Sequence, residues 1–172
     1  MLNTDSRKLL YNAVIASRLN YCDVIWDNCN QTSCNKLQTV QNRCARTILN
    51  ATPGASSGPL LNELGWLNLK EKRKLHKCVL MHELLLNKGP PALCNELIPF
   101  KNRGTYGTRG ATNNNLFLPS HRTNYIGKSF YYETSKIWNN IPFNICDIKN
   151  RNCFKESLHK YLINQRQQDR RS

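Results

Sequence analysis

Asp23 and Asp27 stand four residues apart, a spacing that puts two carboxylates on one helix face and suits a divalent cation. Hard cations want several oxygens, and only Asp5 joins this pair ahead of Glu63. The spacing therefore predicts a solvated surface pair. His76, Cys78 and His82 are the next constellation. Cys78 and His82 share the apolar spacing of one helix, which predicts core packing and no metal, because a free cysteine behaves as a small buried hydrophobe. None of the eight cysteines forms a Cys-x-x-Cys, and Cys29–Cys34 is the closest pair in sequence. Zinc sites normally offer two tight pairs, so these read as reduced thiols. Gly104-Thr105-Tyr106-Gly107-Thr108-Arg109-Gly110 is glycine-rich but joins no clear strand to a helix. There is no Asp-Asp pair, Walker loop, Gly-x-Ser-x-Gly or His-Glu-x-x-His. No complete active site is legible, so catalytic and metal-ligating residues are assigned to none, and no enzyme is expected of this chain alone.

Binding chemistry is better represented. The 172 residues carry 25 Lys+Arg against 11 Asp+Glu, a net charge of +14. Such a bias points to a polyanion, most often nucleic acid; the competing reading is a solvated basic surface with no partner. In Leu69-Lys70-Glu71-Lys72-Arg73-Lys74 four cations crowd the first turns of a helix, where the dipole disfavours them. Either an anion docks at that helix start or the side chains point into solvent with Glu71 compensating. Between Glu96 and Glu133 no acid occurs, while Lys101, Arg103, Arg109, Arg122 and Lys128 interleave with Phe100, Tyr106, Phe117, Tyr125, Phe130, Tyr131 and Tyr132. Cations along a phosphate backbone with aromatic faces against bases are the equipment of single-strand binding. The alternative is that at least half of these aromatics, Phe117, Phe130 and Tyr131 among them, anchor a core. The candidate nucleic-acid contacts are Lys36, Arg43, Arg46, Lys70, Lys72, Arg73, Lys74, Arg103, Tyr106, Arg109, Arg122, Tyr125 and Lys128.

The elements that must position these residues read as helices. Asp5 and Ser6 are N-cap types, followed by Leu10, Val14, Ser17, Tyr21 and Val24 at helical spacing, with Trp26 near the end. A second helix starting near Thr32 or Ser33 has an apolar stripe of Leu37, Val40, Cys44 and Ile48. Residues 51–59 read as a linker by composition. Asn68 and Glu71 form a capping-box pattern ahead of Leu75, Cys78, Val79, His82, Leu85 and Leu86. Asn87-Lys88-Gly89-Pro90-Pro91 ends that helix, and a short one restarts over about Ala92 to Leu97. Phe100 to Asn115 reads as a long mobile loop, and Leu116–Leu118 with Tyr125–Ile126 as a short two-stranded ribbon. Phe130, Thr134, Ile137, Trp138 and Ile141 return to helical spacing before Pro142. A last helix carries Phe154, Leu158, Tyr161 and Leu162 behind a cap near Asn150 or Asn152.

The expected organisation is thus a helical pair over 1–50, a linker over 51–59, and a basic helix with a short proline-started helix over 60–98. A basic aromatic loop follows over 99–128, C-terminal helices over 129–164, and a fraying tail over 165–172. The fold class is mainly α, an irregular helical bundle with one long basic loop and a short ribbon. No apolar run is long enough to cross a membrane and no secretory h-region opens the chain, so an intracellular protein with no membrane partner is expected.

Several segments, taken in order, resemble the region C-terminal to the polymerase core of jockey-like non-LTR (LINE-type) retrotransposon reverse transcriptases. They are Leu19-Asn20-Tyr21-Cys22-Asp23-Val24-Ile25-Trp26, Lys36-Leu37-Gln38-Thr39-Val40-Gln41-Asn42-Arg43-Cys44-Ala45-Arg46, Leu64-Gly65-Trp66-Leu67 and Gly89-Pro90-Pro91-Ala92-Leu93. Arg122-Thr123-Asn124-Tyr125, Ser129-Phe130, Ile137-Trp138-Asn139-Asn140-Ile141-Pro142 and Cys153-Phe154-Lys155 to Tyr161-Leu162 continue the likeness. Cys44 departs from it, since the family tends to place alanine there, and the cysteine spacings do not support the zinc knuckle of some related elements. The resemblance implies a thumb and post-thumb fragment of an RNA-directed DNA polymerase whose palm, with an aromatic-x-Asp-Asp motif binding magnesium, has no counterpart here. No cofactor is then expected in this chain, with Mg2+ belonging to the polymerase core. The expected partner is RNA or RNA–DNA hybrid, gripped without sequence preference, and a polymerase core in trans is a further one. The alternatives are a helical interaction fragment that packs on such a core, or a retroelement relic without retained activity.

Overall fold

Three asparagines open the first, second and last long helical stretches. In the computed structural model, which describes residues 2–95, 115–118, 120 and 122–168, Asn3 Oδ1 accepts from the Ser6 amide at 2.8 Å and Asn30 Oδ1 from the Ser33 amide at 2.8 Å. Asn150 Oδ1 takes the amides of Asn152 and Cys153. Each satisfies amides that have no partner within the helix. The described chain is mainly helical, in keeping with an irregular bundle: α1 (Thr4–Leu10), a π-helical turn (Tyr11–Ala16), α2 (Ser17–Asn20), α3 (Asp23–Trp26), α4 (Gln31–Leu49), α5 (Ser57–Glu63), α6 (Leu69–Leu85), α7 (Pro91–Asn95), α8 (Asn124–Gly127), α9 (Phe130–Trp138), α10 (Phe143–Cys146) and α11 (Arg151–Gln168). It divides into two compact units, Met1–Arg73 with Leu162–Ser172, and Lys74–Tyr161.

In the first unit the expected faces are shifted. The cap is Asn3, ahead of Asp5 and Ser6, and the π turn adds a residue to the helical repeat. Tyr11, Ile15 and Ala16 therefore turn inward, while Leu10, Val14 and Tyr21 are 55%, 47% and 76% exposed. Cys22, at φ 50°, breaks the chain before α3. Tyr11 and Ala16 pack with Ile48, bordered by Cys44, Leu64 and Trp66, and the Tyr11 ring stacks on Trp66 at 4.2 Å. Along α4 the buried line is Gln41, Ala45 and Ile48, and Val40 lies outside it. Gln41 enters the core because its amide donates to the Leu67 carbonyl at 3.0 Å and accepts from Gln38 at 2.7 Å. Arg7 closes the other end of α4, donating to Thr47 O and to the Asn50 side chain, where a cation also meets the negative end of the dipole. The segment read as a linker holds the start of α5, with Gly58 buried.

In the second unit the periodic reading stands for Leu75, Cys78, Val79 and His82, but Met81 and Leu84 are buried where Leu85 and Leu86, only half-buried, were expected. Leu75, Cys78, Val79, Met81, His82 and Leu84 of α6 are buried, as are Trp138 of α9 and Phe154 and Leu158 of α11. His82 stacks on Phe154 at 4.3 Å, and its Nε2 donates to the Ile148 carbonyl at 2.6 Å. Asn87 at φ 55° ends α6, with Lys88 N donating to Glu83 O. Gly89 sits where a Cβ would collide with Leu84 Cδ2. The ribbon does not form. Tyr125 and Ile126 lie in α8, and both backbone groups of Leu116 bond to the Asn139 amide at 2.8 and 2.9 Å, which does the work of a neighbouring strand. Residues 100–114 of the expected loop lie outside the described residues.

Candidate nucleic-acid interface

The cations of the first unit divide into exposed and structural ones. Lys36 and Arg43, seven residues apart, are exposed on one face of α4. Arg46, half-buried, donates its Nε to the Ala55 carbonyl at 3.0 Å, and so holds the 51–56 turn. Lys70 is exposed and Lys72 half-buried. Arg73 is buried, 4% exposed, in an ion pair with Asp27 and 5.4 Å above the Trp26 ring. It is therefore withdrawn from the expected phosphate contacts, because a long side chain committed to a carboxylate and an indole inside the fold presents no charge to a ligand. The same pair overturns the surface reading of Asp23 and Asp27: Asp23 is 4% exposed and Asp27 is the partner of Arg73.

The start of α6 is also filled from within. Glu71 Oε2 accepts from the Asn68 amide at 2.9 Å, and Asn68 Oδ1 from the Glu71 amide at 2.8 Å, closing the capping box. Gln38 Oε1 takes the Leu69 amide at 2.9 Å. Amides already bonded leave an anion little to gain, so anion docking at this helix end gives way to compensation by Glu71. Arg166 completes that corner: its guanidinium reaches Glu71, Asn62 and the Trp66 carbonyl at 2.6–3.1 Å. The stretch expected to fray at Gln165 is thus helical and anchored through Gln168.

In the second unit Lys74 is half-buried, while Arg122, Tyr125 and Lys128 are all exposed around the single turn of α8. Tyr125 is 86% exposed, the most open large hydrophobic among the described residues. Phe130 and Tyr131 instead meet edge to face at 5.4 Å, and Tyr131 donates to the Leu93 carbonyl. Arg103, Tyr106 and Arg109 lie outside the described residues. Lys155 and Lys160 of α11 are exposed cations that the sequence reading passed over. Their signal was present, since they fall off the Phe154–Leu158–Leu162 stripe.

Titration follows burial. The Cys78 thiol is pushed up to about 12 and that of Cys146 to about 11 by burial, and burial likewise pushes the Tyr11 hydroxyl up to about 12. Among the described residues no three His, Cys, Asp or Glu side chains converge to hold a metal ion. All eight cysteines are free. Among the described residues no helix is long and apolar enough to cross a membrane. With this geometry in hand, comparison with protein-family models, with curated proteins and with solved structures finds no match.

Proposed function

We infer that the chain is a non-catalytic helical module that grips RNA or RNA–DNA hybrid through the sugar–phosphate backbone, inside the cell, without reading sequence. The observation that carries this reading is Tyr125, 86% exposed between the exposed cations Arg122 and Lys128. A ring left in water gains nothing for the fold, whereas a base stacked on it is worth about 1–3 kcal/mol, with the flanking cations placed for its phosphates. Lys36 and Arg43 on α4, and Lys70 at the start of α6, add a second set of open cations, and the net charge of +14 agrees. The ordered resemblance to the post-polymerase region of LINE-type reverse transcriptases supports RNA as the polyanion. Catalysis, and the Mg2+ it would need, belong in this reading to a polymerase core.

The test is a fluorescence-polarisation titration with single-stranded RNA across a salt series. If about five phosphates are neutralised, log K should fall against log salt with a slope of about −3.5 to −4.5. Tyr125→Ala should weaken binding about 5- to 150-fold, the equivalent of one stacked base, while Tyr125→Trp keeps it. A flat salt response, or indifference to Tyr125→Ala, overturns the reading.

A second reading has its own observation. Leu9, Leu10, Val14, Tyr21 and Ile25 are each between 47% and 78% exposed within the first 25 residues. Apolar side chains gathered in one short stretch favour a helical fragment that docks on a polymerase core supplied in trans. Size-exclusion chromatography separates the two: a monomer that shifts with RNA supports the grip, and self-association indifferent to RNA supports the docking fragment.

A further inference from the structure

Cys29 and Cys34 bracket the first turn of α4, and their sulfurs lie 3.0 Å apart. The turn between them is pinned by Asn30, whose side chain caps the Ser33 amide and whose carbonyl accepts from Cys34 N at 3.1 Å. Cys34 Sγ has a second neighbour, Arg73 Nη2 at 3.5 Å. That guanidinium is buried, its Nε is committed to Asp27, and its Nη1 has no hydrogen-bond partner. A buried cation with spare N–H groups, the Cys29 thiol at 3.0 Å and the amino end of a helix thus converge on the Cys34 sulfur, surroundings in which a thiol is reactive. The two thiols are not equivalent. Cys29 is the one held protonated, raised first by its hydrogen bond with Cys34 and then by burial. Both side chains are partly accessible, so a small oxidant can reach them.

We propose that Cys34 and Cys29 form an oxidisable pair, Cys34 the attacking sulfur and Cys29 the resolving thiol, with a hydroperoxide as oxidant. The Cys34 sulfur attacks the terminal peroxide oxygen, the O–O bond breaks, and the departing alkoxide or hydroxide takes up the proton that Cys34 released. Cys34 is left as a sulfenic acid. Cys29 then attacks the Cys34 sulfur; the S–S bond forms, the S–O bond breaks, and the leaving hydroxide departs as water with the Cys29 proton. Two thiols and one hydroperoxide thus become one disulfide, one alcohol or water, and one further water, with two electrons passing from sulfur to oxygen. The sulfurs need to close by only about 1 Å to reach bonding distance. This pair is independent of the nucleic-acid reading and uses none of its residues.

Trypsin releases residues 19–36 as one peptide carrying Cys22, Cys29 and Cys34, so exposed Cys22 is an internal control. The full chain is treated with hydrogen peroxide, blocked with N-ethylmaleimide and digested. Labels on this peptide should fall from three to one, with the survivor at Cys22. Cys29→Ser, nearly isosteric, should stop at the sulfenic acid and give one dimedone adduct at Cys34. Cys34→Ser should leave Cys29 without an adduct. Three labels persisting at a peroxide dose that oxidises the exposed Cys153, a disulfide that includes Cys22, or a dimedone adduct on Cys29 in the Cys34→Ser chain would each overturn the assignment.

Discussion

Each compact unit buries an ion-paired cation, and the two differ in what else fills the interior. Residues 74–161 hold one such cation, Lys77, paired with Glu133, and are otherwise closed by aromatic and aliphatic packing, with His82, Trp138 and Phe154 ring against ring at 4.3–6.5 Å and Met81, Leu84 and Leu158 almost wholly shielded. In the other unit polar side chains lead inward: Arg73 to Asp27, Gln41 to the Leu67 carbonyl, Arg166 to Glu71, Asn62 and Trp66. The contrast shows that a positive charge in this chain has two possible employments, one outside and one inside, and that composition alone does not distinguish them. In an apolar interior the loss of a large side chain costs contacts. In a polar one the loss of half a pair costs more than the pair was worth, because its partner is left buried and alone.

The largest expected effects test that asymmetry directly. Phe154→Ala should lower unfolding free energy by about 3–5 kcal/mol in a guanidinium melt, and no second substitution opposite it should restore the loss. Arg73→Met should cost about 3 kcal/mol, at the low end for a broken buried pair because Asp27 keeps some access to water. Adding Asp27→Leu should recover most of that, since two apolar side chains of similar volume can replace a paired charge. If the double variant is no better than Arg73→Met alone, the polar interior is not the compensated network described above.

A smaller effect separates the units by pH. Cys78 moves from an ordinary 9.0 to about 12 on folding, Tyr11 from 10.0 to about 12, both by burial. Below pH 9 each is protonated folded and unfolded, and neither contributes a pH dependence. Above that, the unfolded chain releases protons that the native state retains, so stability should fall as pH rises from 9 towards 12. Under reducing conditions Cys78→Ala should flatten this decline from pH 9 upward, and Tyr11→Phe only from pH 10 upward. A variant that leaves the decline unchanged would contradict the burial of the group it removes.

The same contrast explains what the sequence disclosed. Helix α6 was legible to within a residue or two, while α9 was read three residues past its end and α11 about four short, because Leu75, Val79 and His82, then Thr134 and Trp138, then Phe154 and Leu158 keep a helical period but say less about where each helix stops. The first unit was read less well for two physical reasons. The π turn at Tyr11–Ala16 shifts the buried register without changing composition. Gln41, Arg73 and Arg166 are polar residues buried by partners far along the chain: Arg73 bonds to a residue 46 positions away and Arg166 to one 104 away. No local pattern reports such a pairing. Of the expected contacts, Lys36, Arg43, Lys70, Arg122, Tyr125 and Lys128 stand exposed as read, and Arg73 was the error.

That error sets up the smallest change in stability and the sharpest contrast between cations. Lys36 and Arg43 carry the same charge as Arg73 but lie on the open face of α4. Replacing both with glutamate removes no buried contact, so the melt should move by no more than about 0.5 kcal/mol per site. Binding should respond instead. Two positive charges become negative, which should weaken RNA affinity about equally for every sequence and make the salt slope shallower by about 1.4–1.8, the share of two phosphates. Arg73→Met alone should do the reverse, with stability lowered and the salt slope unchanged. Should the α4 variant bind RNA as the parent does, Lys36 and Arg43 are solvated charges only, and the grip would rest on Arg122, Tyr125 and Lys128.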